Sequence, residues 1–386
     1  MKLTSIKVRH FKAVEDSGTL KLGALTAFVG YNGTGKSSLI EACEFFHTYA
    51  LQGLDAAVQP WFGFEHLLWQ GAARKWKVGD EFFPRPLQIE ITGKLTKPKA
   101  AWKAKLDVAE RVVVTGDTPG RAVTVKREAL QVGQRQEEFD PKQRRPGRPR
   151  TTSQLFDLDW APDFRRWLFI SLNPHDIGQP RRRPESAGDE PLQKTGANLA
   201  DILKSFLDRD AEGFNAMIEA LQYIVPYAAN VRPDITQDMV ERRSLIQLTE
   251  RFGQERNVTL PGWVLSGGTL RLLALLAALR HPDGPSVLFI EELENGLDPR
   301  AIGFVVEEIR AAVESGEKQV ILTTHSPYLL DKLALEHVVA VERPDGGPPV
   351  FRRPAEEKEL REWSAKFAPG SLYSMGLLRA KERRTR

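Results

Sequence analysis

The chain has 386 residues, 41% of them hydrophobic and 27% charged, which supports a globular core in one large domain or two moderate ones. Its lone cysteine, Cys43, excludes an internal disulfide and a cysteine-cluster metal site. The longest apolar run, Leu272 to Leu279, is too short for a bilayer, and MKLTSIKVRHFK has no apolar export core, so a cytoplasmic chain is expected.

In chain order, residues 1–29 read as short strands, LTSIKVRHF, GTLKL and LTAFVG, punctuated by Gly18 and Gly23. Gly30 to Ser37 (GYNGTGKS) follows, then a helical pattern, SLIEACEFFHTYAL. Residues 85–95 and 104–115 read as further strands of a meander. From Gln131 to Pro191 the chain turns rich in Arg, Pro, Gly and Gln, with a short ordered island at WAPDFRRWLFISL. Residues 197–224 carry apolar residues at helical spacing, and LRLLALLAALR after Gly268 is a helix. Then come a buried strand SVLFI, a helix AIGFVVEEIRAAVES, a buried strand QVILTT, a helix opening at Ser326–Pro327, and a last strand HVVAVER. Fully apolar strands alternating with helices imply an α/β fold with a mainly parallel sheet covered on both faces.

Four motifs carry chemistry. In GYNGTGKS, glycines let the backbone curl so that successive N–H groups point at a phosphate, and the helix start near Lys36 adds its positive end. Asn32, Gly33, Thr34, Gly35, Lys36, Ser37 and Ser38 are therefore candidate ATP-binding residues, with Lys36 on the β- and γ-phosphates and Ser37 on Mg²⁺. The apolar strand before it and the helix after it argue against a chance match. Second, Val287 to Glu292 (VLFIEE) ends an apolar strand in two carboxylates. Beside a phosphate loop, Glu291 is expected to hold Mg²⁺ and Glu292 to deprotonate the attacking water; the bland alternative is two solvated glutamates starting a turn. Third, Leu265 to Thr269 (LSGGT) opens a helix. Ser266, Gly267 and Gly268 offer a hydroxyl and close backbone approach to an anion, the alternative being an ordinary N-cap. Fourth, His325 in TTHSP ends an apolar strand, on the rim where ligands bind. It is a candidate donor to the γ-phosphate, against a structural role.

Together these residues resemble an ABC-type ATPase: Walker A at 30–37, LSGGT at 265–269, Walker B at 287–292, GLDP at 296–299 as D-loop, and His325 as switch. The opening IKVRHFKAVED, the acidic FIEELENGLDPR and ILTTHSPYLLD resemble the SMC, RecF and OLD-like branch more than membrane transporters. Residues 1–45 and 197–345 carry the likeness. It implies a P-loop fold with an antiparallel β subdomain and a helical signature lobe. The expected segments are an ATPase lobe over 1–130, a basic insert over 131–196, the signature lobe with Walker B and switch over 197–345, and a basic tail over 346–386. It also implies that two copies pack head to tail, Ser266 and Gly268 of one meeting the γ-phosphate held by Lys36 of the other. Glu291 stands where aspartate is common and Leu293 where proline often follows. Gln70 and Gln88 are weak candidates for a Q-loop glutamine. The implied work is on DNA, in repair or in defence against foreign DNA. Only about forty residues follow HVVAVER, so any cutting is expected from a partner effector such as a nuclease. A transporter subunit and a regulatory ATPase switch remain alternatives.

The insert contains Pro141 to Arg150 (PKQRRPGRPR), in which Lys142, Arg144, Arg145, Arg148 and Arg150 are positive and no residue is acidic. It is a candidate DNA phosphate contact, and RPGRPR resembles an AT-hook; the alternative is a solvated loop. The nearby Phe156, Trp160, Phe164, Trp167 and Phe169 are expected to fill a small core.

Overall fold

Period-two alternation builds the first of two units. The computed structural model describes residues 1–69, 71, 76–78, 81–83, 85–96, 99–115, 118–139, 153, 156, 161–182, 190–237, 242–253 and 256–378. The units are Met1–Trp167 with Leu335–Arg386, and Leu168–Ala334. The basic stretch 140–152, with Lys142, Arg144, Arg145, Arg148 and Arg150, lies outside the described residues, as do Gln70 and Trp160.

In the first unit an antiparallel sheet runs in the order Arg135–Glu138, Thr118–Val132, Ala100–Thr115, Leu87–Leu95, Lys2–Phe11, Val14–Asp16, which realises the expected meander. Its inner face is apolar: Ile6 and Val8, Leu87, Ile89 and Ile91, and Trp102, Ala104 and Leu106 are all buried. The opposite face is a charge checkerboard. Glu90 lies 2.6 Å from Lys103 and 3.0 Å from Lys105, and Arg9–Asp16 and Arg127–Glu138 pair beside it. Such balanced, exposed pairs each contribute little stability and make a solvated surface.

The strand Leu25–Val29 is buried at every position and pairs in parallel with Val338–Glu342, which pairs antiparallel with Val350–Arg352. Helix Lys36–Gln52 brings Phe46 and Tyr49 against the aromatic residues of the insert. Phe46 packs on Phe156 at 5.0 Å, Phe164 meets Trp167 edge-on at 5.4 Å, and the island is a core as expected.

His47 stacks on Trp167 in this core, its ring 5.9 Å away and nearly parallel. Burial holds its imidazole down to about 4 from an ordinary 6.5, and a hydrogen bond to the Phe164 backbone opposes this only in part. The unfolded chain therefore takes up the proton first. Stability is expected to fall as pH drops from 6.5 towards 4, by roughly 3 kcal/mol at about 1.4 kcal/mol per pH unit. Urea melts of wild type and His47→Phe at pH 7 and pH 4.5 check this: the gap between the proteins should shift towards the variant in acid. A gap that stays constant would remove His47 from the acid response.

The segment read as a basic tail is folded as far as Leu378. Helices Lys358–Ser364 and Pro369–Ser374 place Leu360, Leu372 and Leu378 against Leu335 in a small core, with Trp363 and Tyr373 packed on it. Arg352 fixes this segment by donating to the Leu378 carbonyl at 2.6 Å.

In the second unit, Val287–Ile290 and Gln319–Thr324 pair in parallel, with Val287 opposite Gln319, and are buried throughout. Residues without a polar face must be covered on both sides, as apolar runs of this length predict. The helical stretch expected over 197–224 is two helices, Leu199–Arg209 and Ala211–Ile224, broken where the Asp210 carboxylate caps the second through Gly213 N–H at 2.8 Å. Helix Gly267–Arg280 is buried on nearly all sides and forms the middle of this lobe. Phe169 stacks on Phe289 at 4.4 Å, so this aromatic residue belongs to the second core rather than to the Phe46 cluster. Strands Ala228–Gln237, Arg242–Phe252 and Arg256–Pro261 form an antiparallel sheet, for which the sequence suggested nothing.

Candidate functional site

In the first unit, strand Leu25–Val29 delivers the chain into the phosphate loop, and helix Lys36–Gln52 leaves it. Gly33 (φ 77°) and Gly35 (φ 97°) occupy the left-handed region, which a side chain would strain. Thr34 closes the turn, its hydroxyl donating to Tyr31 O at 2.9 Å. Gly35 is the N-cap of the helix, so no side chain accepts its first N–H groups, and its first turn holds no acid. Those donors and the positive helix end are left to an external anion. Lys36 is buried, only 6% exposed, and donates to Gly30 O at 2.7 Å and Tyr31 O at 2.8 Å. Ser37 is half-buried at the helix start, Ser38 is buried, and Asn32 is exposed at the loop tip.

The second unit gathers the other three motifs. Glu291 follows strand Val287–Ile290, its backbone N–H donating to Ile170 O at 2.9 Å. Glu292 has φ 47°, a left-handed conformation rare for a side chain of this kind. Its neighbours over-determine that conformation. Its N–H donates to the Thr323 hydroxyl at 2.9 Å, and its carboxylate accepts from the Asn295 side chain, whose own N–H returns to Glu292 O at 3.0 Å. Backbone strain of this kind costs about 1–3 kcal/mol and persists only where the surroundings over-determine it.

Ser266 is the N-cap of helix Gly267–Arg280, its hydroxyl accepting from Thr269 N–H at 3.1 Å. The side chain is exposed, so the cap alternative is realised without hiding the hydroxyl. This helix leans on the Walker B turn of its own chain. A Cβ on Gly268 would stand 2.8 Å from Gly296 O, and Arg271 donates to Asn295 O, two bonds' remove from Glu292. Burial pulls the Arg271 guanidinium down from its usual value, and the Glu292 carboxylate opposes this. Asp298 of the D-loop caps helix Pro299–Glu314 through Arg300 N–H at 2.8 Å and Ala301 N–H at 3.0 Å.

His325 follows strand Gln319–Thr324 with its side chain 41% exposed. Sequence reasoning missed the residues that hold these groups: Thr323, Asn295, Arg271 and Glu294. Glu294 accepts from the Thr324 hydroxyl at 2.9 Å and from His325 N–H at 2.8 Å.

Ser37 in the first unit and Glu291 in the second each offer a hard oxygen, the kind of donor Mg²⁺ takes beside substrate phosphates.

Comparison with solved structures shows the same fold. The chain is similar to an SMC head bound to the C-winged-helix domain of ScpA, with TM-score 0.57 and 14% identity over 91% of this chain and 98% of that one. It is also similar to an SMC head with an extended coiled coil, bound to the C-terminal domain of ScpA, derived from Pyrococcus furiosus, with TM-score 0.51 and 14% identity over 95% and 100%. Among curated proteins, it is 41% identical over 88 residues to the daunorubicin resistance ATP-binding protein DrrA2 of Streptomyces coeruleorubidus, covering 21% of this chain and 26% of that protein. It is 34% identical over 79 residues to the ABC transporter G family member STR2 of Petunia hybrida, covering 20% and 11%. The chain thus spans about a quarter of DrrA2 and about a tenth of STR2. The fold is the α/β P-loop fold of an ABC-type, SMC-like ATPase, as its motifs imply. A family model matches residues 25–331, from the strand before the phosphate loop to beyond His325, and the chain belongs to that family, the AAA domain described as putative AbiEii toxin, Type IV TA system.

Proposed function

We propose that this chain binds ATP with Mg²⁺ and hydrolyses it within a head-to-tail pair of copies, and that the cycle acts on DNA together with a protein effector. The observation that carries this is the helix start at Gly35 to Ser37, left without a side-chain cap and backed by buried Lys36. Asn32, Gly33, Thr34, Gly35 and Ser38 line the phosphates, and Lys36 leaves the Gly30 and Tyr31 carbonyls for them. Ser37 and Glu291 hold Mg²⁺, which neutralises phosphate charge when bound. Glu292 takes the proton of the attacking water, and His325 faces the γ-phosphate.

Ser266, Gly267 and Gly268 belong to the partner copy's nucleotide in this reading. Trp263 and Val264 beside them are half exposed, as a face awaiting a second copy should be. Hydrolysis by the purified chain, its mass by light scattering with and without ATP, and the response to added duplex DNA test the proposal together. A chain that stays monomeric with ATP and hydrolyses nothing would refute it.

A protein partner is supported by the SMC heads that bind domains of ScpA. The similarity to the ATP-binding protein DrrA2 and to the ABC transporter G family member STR2 favours a second reading, an ATP-binding subunit of a transporter, but over a fifth of the chain only. No helix among the described residues is long and apolar enough to cross a membrane; co-purification with an integral membrane protein would favour that reading.

DNA contact is assigned to the basic insert. Replacing Arg144, Arg145, Arg148 and Arg150 by Ala should weaken duplex binding and lower the slope of log K against log salt by about 0.9 per lost phosphate contact. Unchanged affinity and slope in a fluorescence-anisotropy titration would leave the insert a solvated loop.

A further inference from the structure

We infer that Glu294 is the positioning residue of the switch histidine: it fixes the Thr324–His325 backbone and takes the His325 ring at Nδ1, leaving Nε2 to face the reacting phosphate. This rests on the reading of His325 given above.

Glu294 is an acid whose burial needs a reason. Its side chain is 8% exposed, and removing a carboxylate from water is costly unless its oxygens are satisfied. One oxygen is. Oε1 accepts from the Thr324 hydroxyl at 2.9 Å and from the His325 N–H at 2.8 Å, so it fixes the chain at the point where the switch leaves its strand. Thr324 Oγ1 in turn accepts from Ser326 N–H at 3.0 Å, which extends the brace through the residue after the histidine.

The other oxygen and the ring are unfinished. Glu294 Oε2 and His325 Nδ1 are both buried and both lack a hydrogen-bond partner among the described residues. They belong to adjoining groups, with Nδ1 3.2 Å from Oε1. Buried polar atoms are rarely left in this state, and two orphans side by side can satisfy each other. A small rotation of the ring lets Nδ1–H donate to the carboxylate. The exposed edge of the ring then points outward with its position set, since a histidine held at one nitrogen is oriented at the other. Solvated acids in a turn do none of this; the brace requires the carboxylate to be where it is.

The test is steady-state hydrolysis by wild type, Glu294→Gln, His325→Ala and the double variant, with Mg²⁺ and ATP. Glutamine keeps the shape and one acceptor but loses the second oxygen. Glu294→Gln is expected to lower kcat roughly tenfold to a hundredfold, as loss of an orienting partner does, with KM for ATP within about threefold. In the His325→Ala background the same change should have no further effect. A Glu294→Gln enzyme with kcat within twofold of wild type, a change in KM alone, or losses that multiply in the double variant would each overturn the inference while leaving His325 in place. An active His325→Ala would overturn both. Nitrogen-15 shifts of the His325 ring in the wild-type protein give a measurement that no folding defect can confound: Nδ1 is expected to carry a proton with an ATP analogue bound, and an unprotonated Nδ1 would sink the idea.

Discussion

Glu292→Gln is expected to lower kcat by about 10²–10⁴ while the protein still binds ATP, because the substitution removes a base and little else. Glutamine preserves the length of the side chain, so the Asn295 amide and the Thr323 hydroxyl can still hold residue 292 in its left-handed backbone. The proposed ground-state contacts to the nucleotide come from the phosphate loop and are untouched. The variant should therefore accumulate as an ATP-bound dimer, visible as a doubling of mass by light scattering that persists for hours. Glu292→Ala separates strain from chemistry: it loses the Asn295 bond as well, and is expected to melt at lower temperature where Glu292→Gln does not. A Glu292→Gln protein turning over at more than a tenth of the wild-type rate would move the base elsewhere.

Much of this site was legible because each motif is local. GYNGTGKS specifies its own turn: the glycines at 33 and 35 are where the backbone goes left-handed, and the helix begins at Lys36 as its pattern predicts. VLFI and QVILTT are uniformly apolar and could only be buried strands. The groups that position the catalytic candidates were not legible for the opposite reason. Thr323, Asn295 and Arg271 act across 31, 3 and 24 residues of sequence respectively, through bonds that only the fold creates. Glu294 reads in sequence as one more acid in ELEN, and only its burial against His325 distinguishes it.

The fold went unread where pattern and chemistry pulled apart. Strand Ala228–Gln237 contains Pro233, which argues against a strand, yet Arg242–Phe252 beside it buries Ser244, Leu245, Ile246 and Leu248. The pairing supplies what the first strand's own sequence withholds. Charge concealed the C-terminal segment in the same way. Its Lys, Arg and Glu residues suggest a solvated tail, but Leu360, Leu372 and Leu378 recur at spacings that close a core once Leu335 is brought to them.

The largest loss of stability is expected at Gly30, a residue usually read only as part of the nucleotide motif. A Cβ there would lie 2.2 Å from Val341 O and 2.9 Å from the Thr34 hydroxyl. The hydroxyl could turn away, but the carbonyl belongs to strand Val338–Glu342, which is paired in register with Leu25–Val29. Relief would require the two strands to part, and both are buried, so there is no soft direction to move. Gly30→Ala should therefore destabilise the first unit by about 3 kcal/mol, at the upper end of overpacking costs, which is roughly 6–12 °C in Tm for a unit of this size. Nucleotide binding should weaken as well, since Gly30 O is one of the two carbonyls that Lys36 holds at rest. Gly33→Ala is the control. No atom lies within 4 Å of its Cβ position, so its cost is confined to the positive φ and should be smaller. Differential scanning calorimetry of the two variants decides the matter: equal losses would mean that the approach of Val341 O is not what demands glycine at the end of this strand.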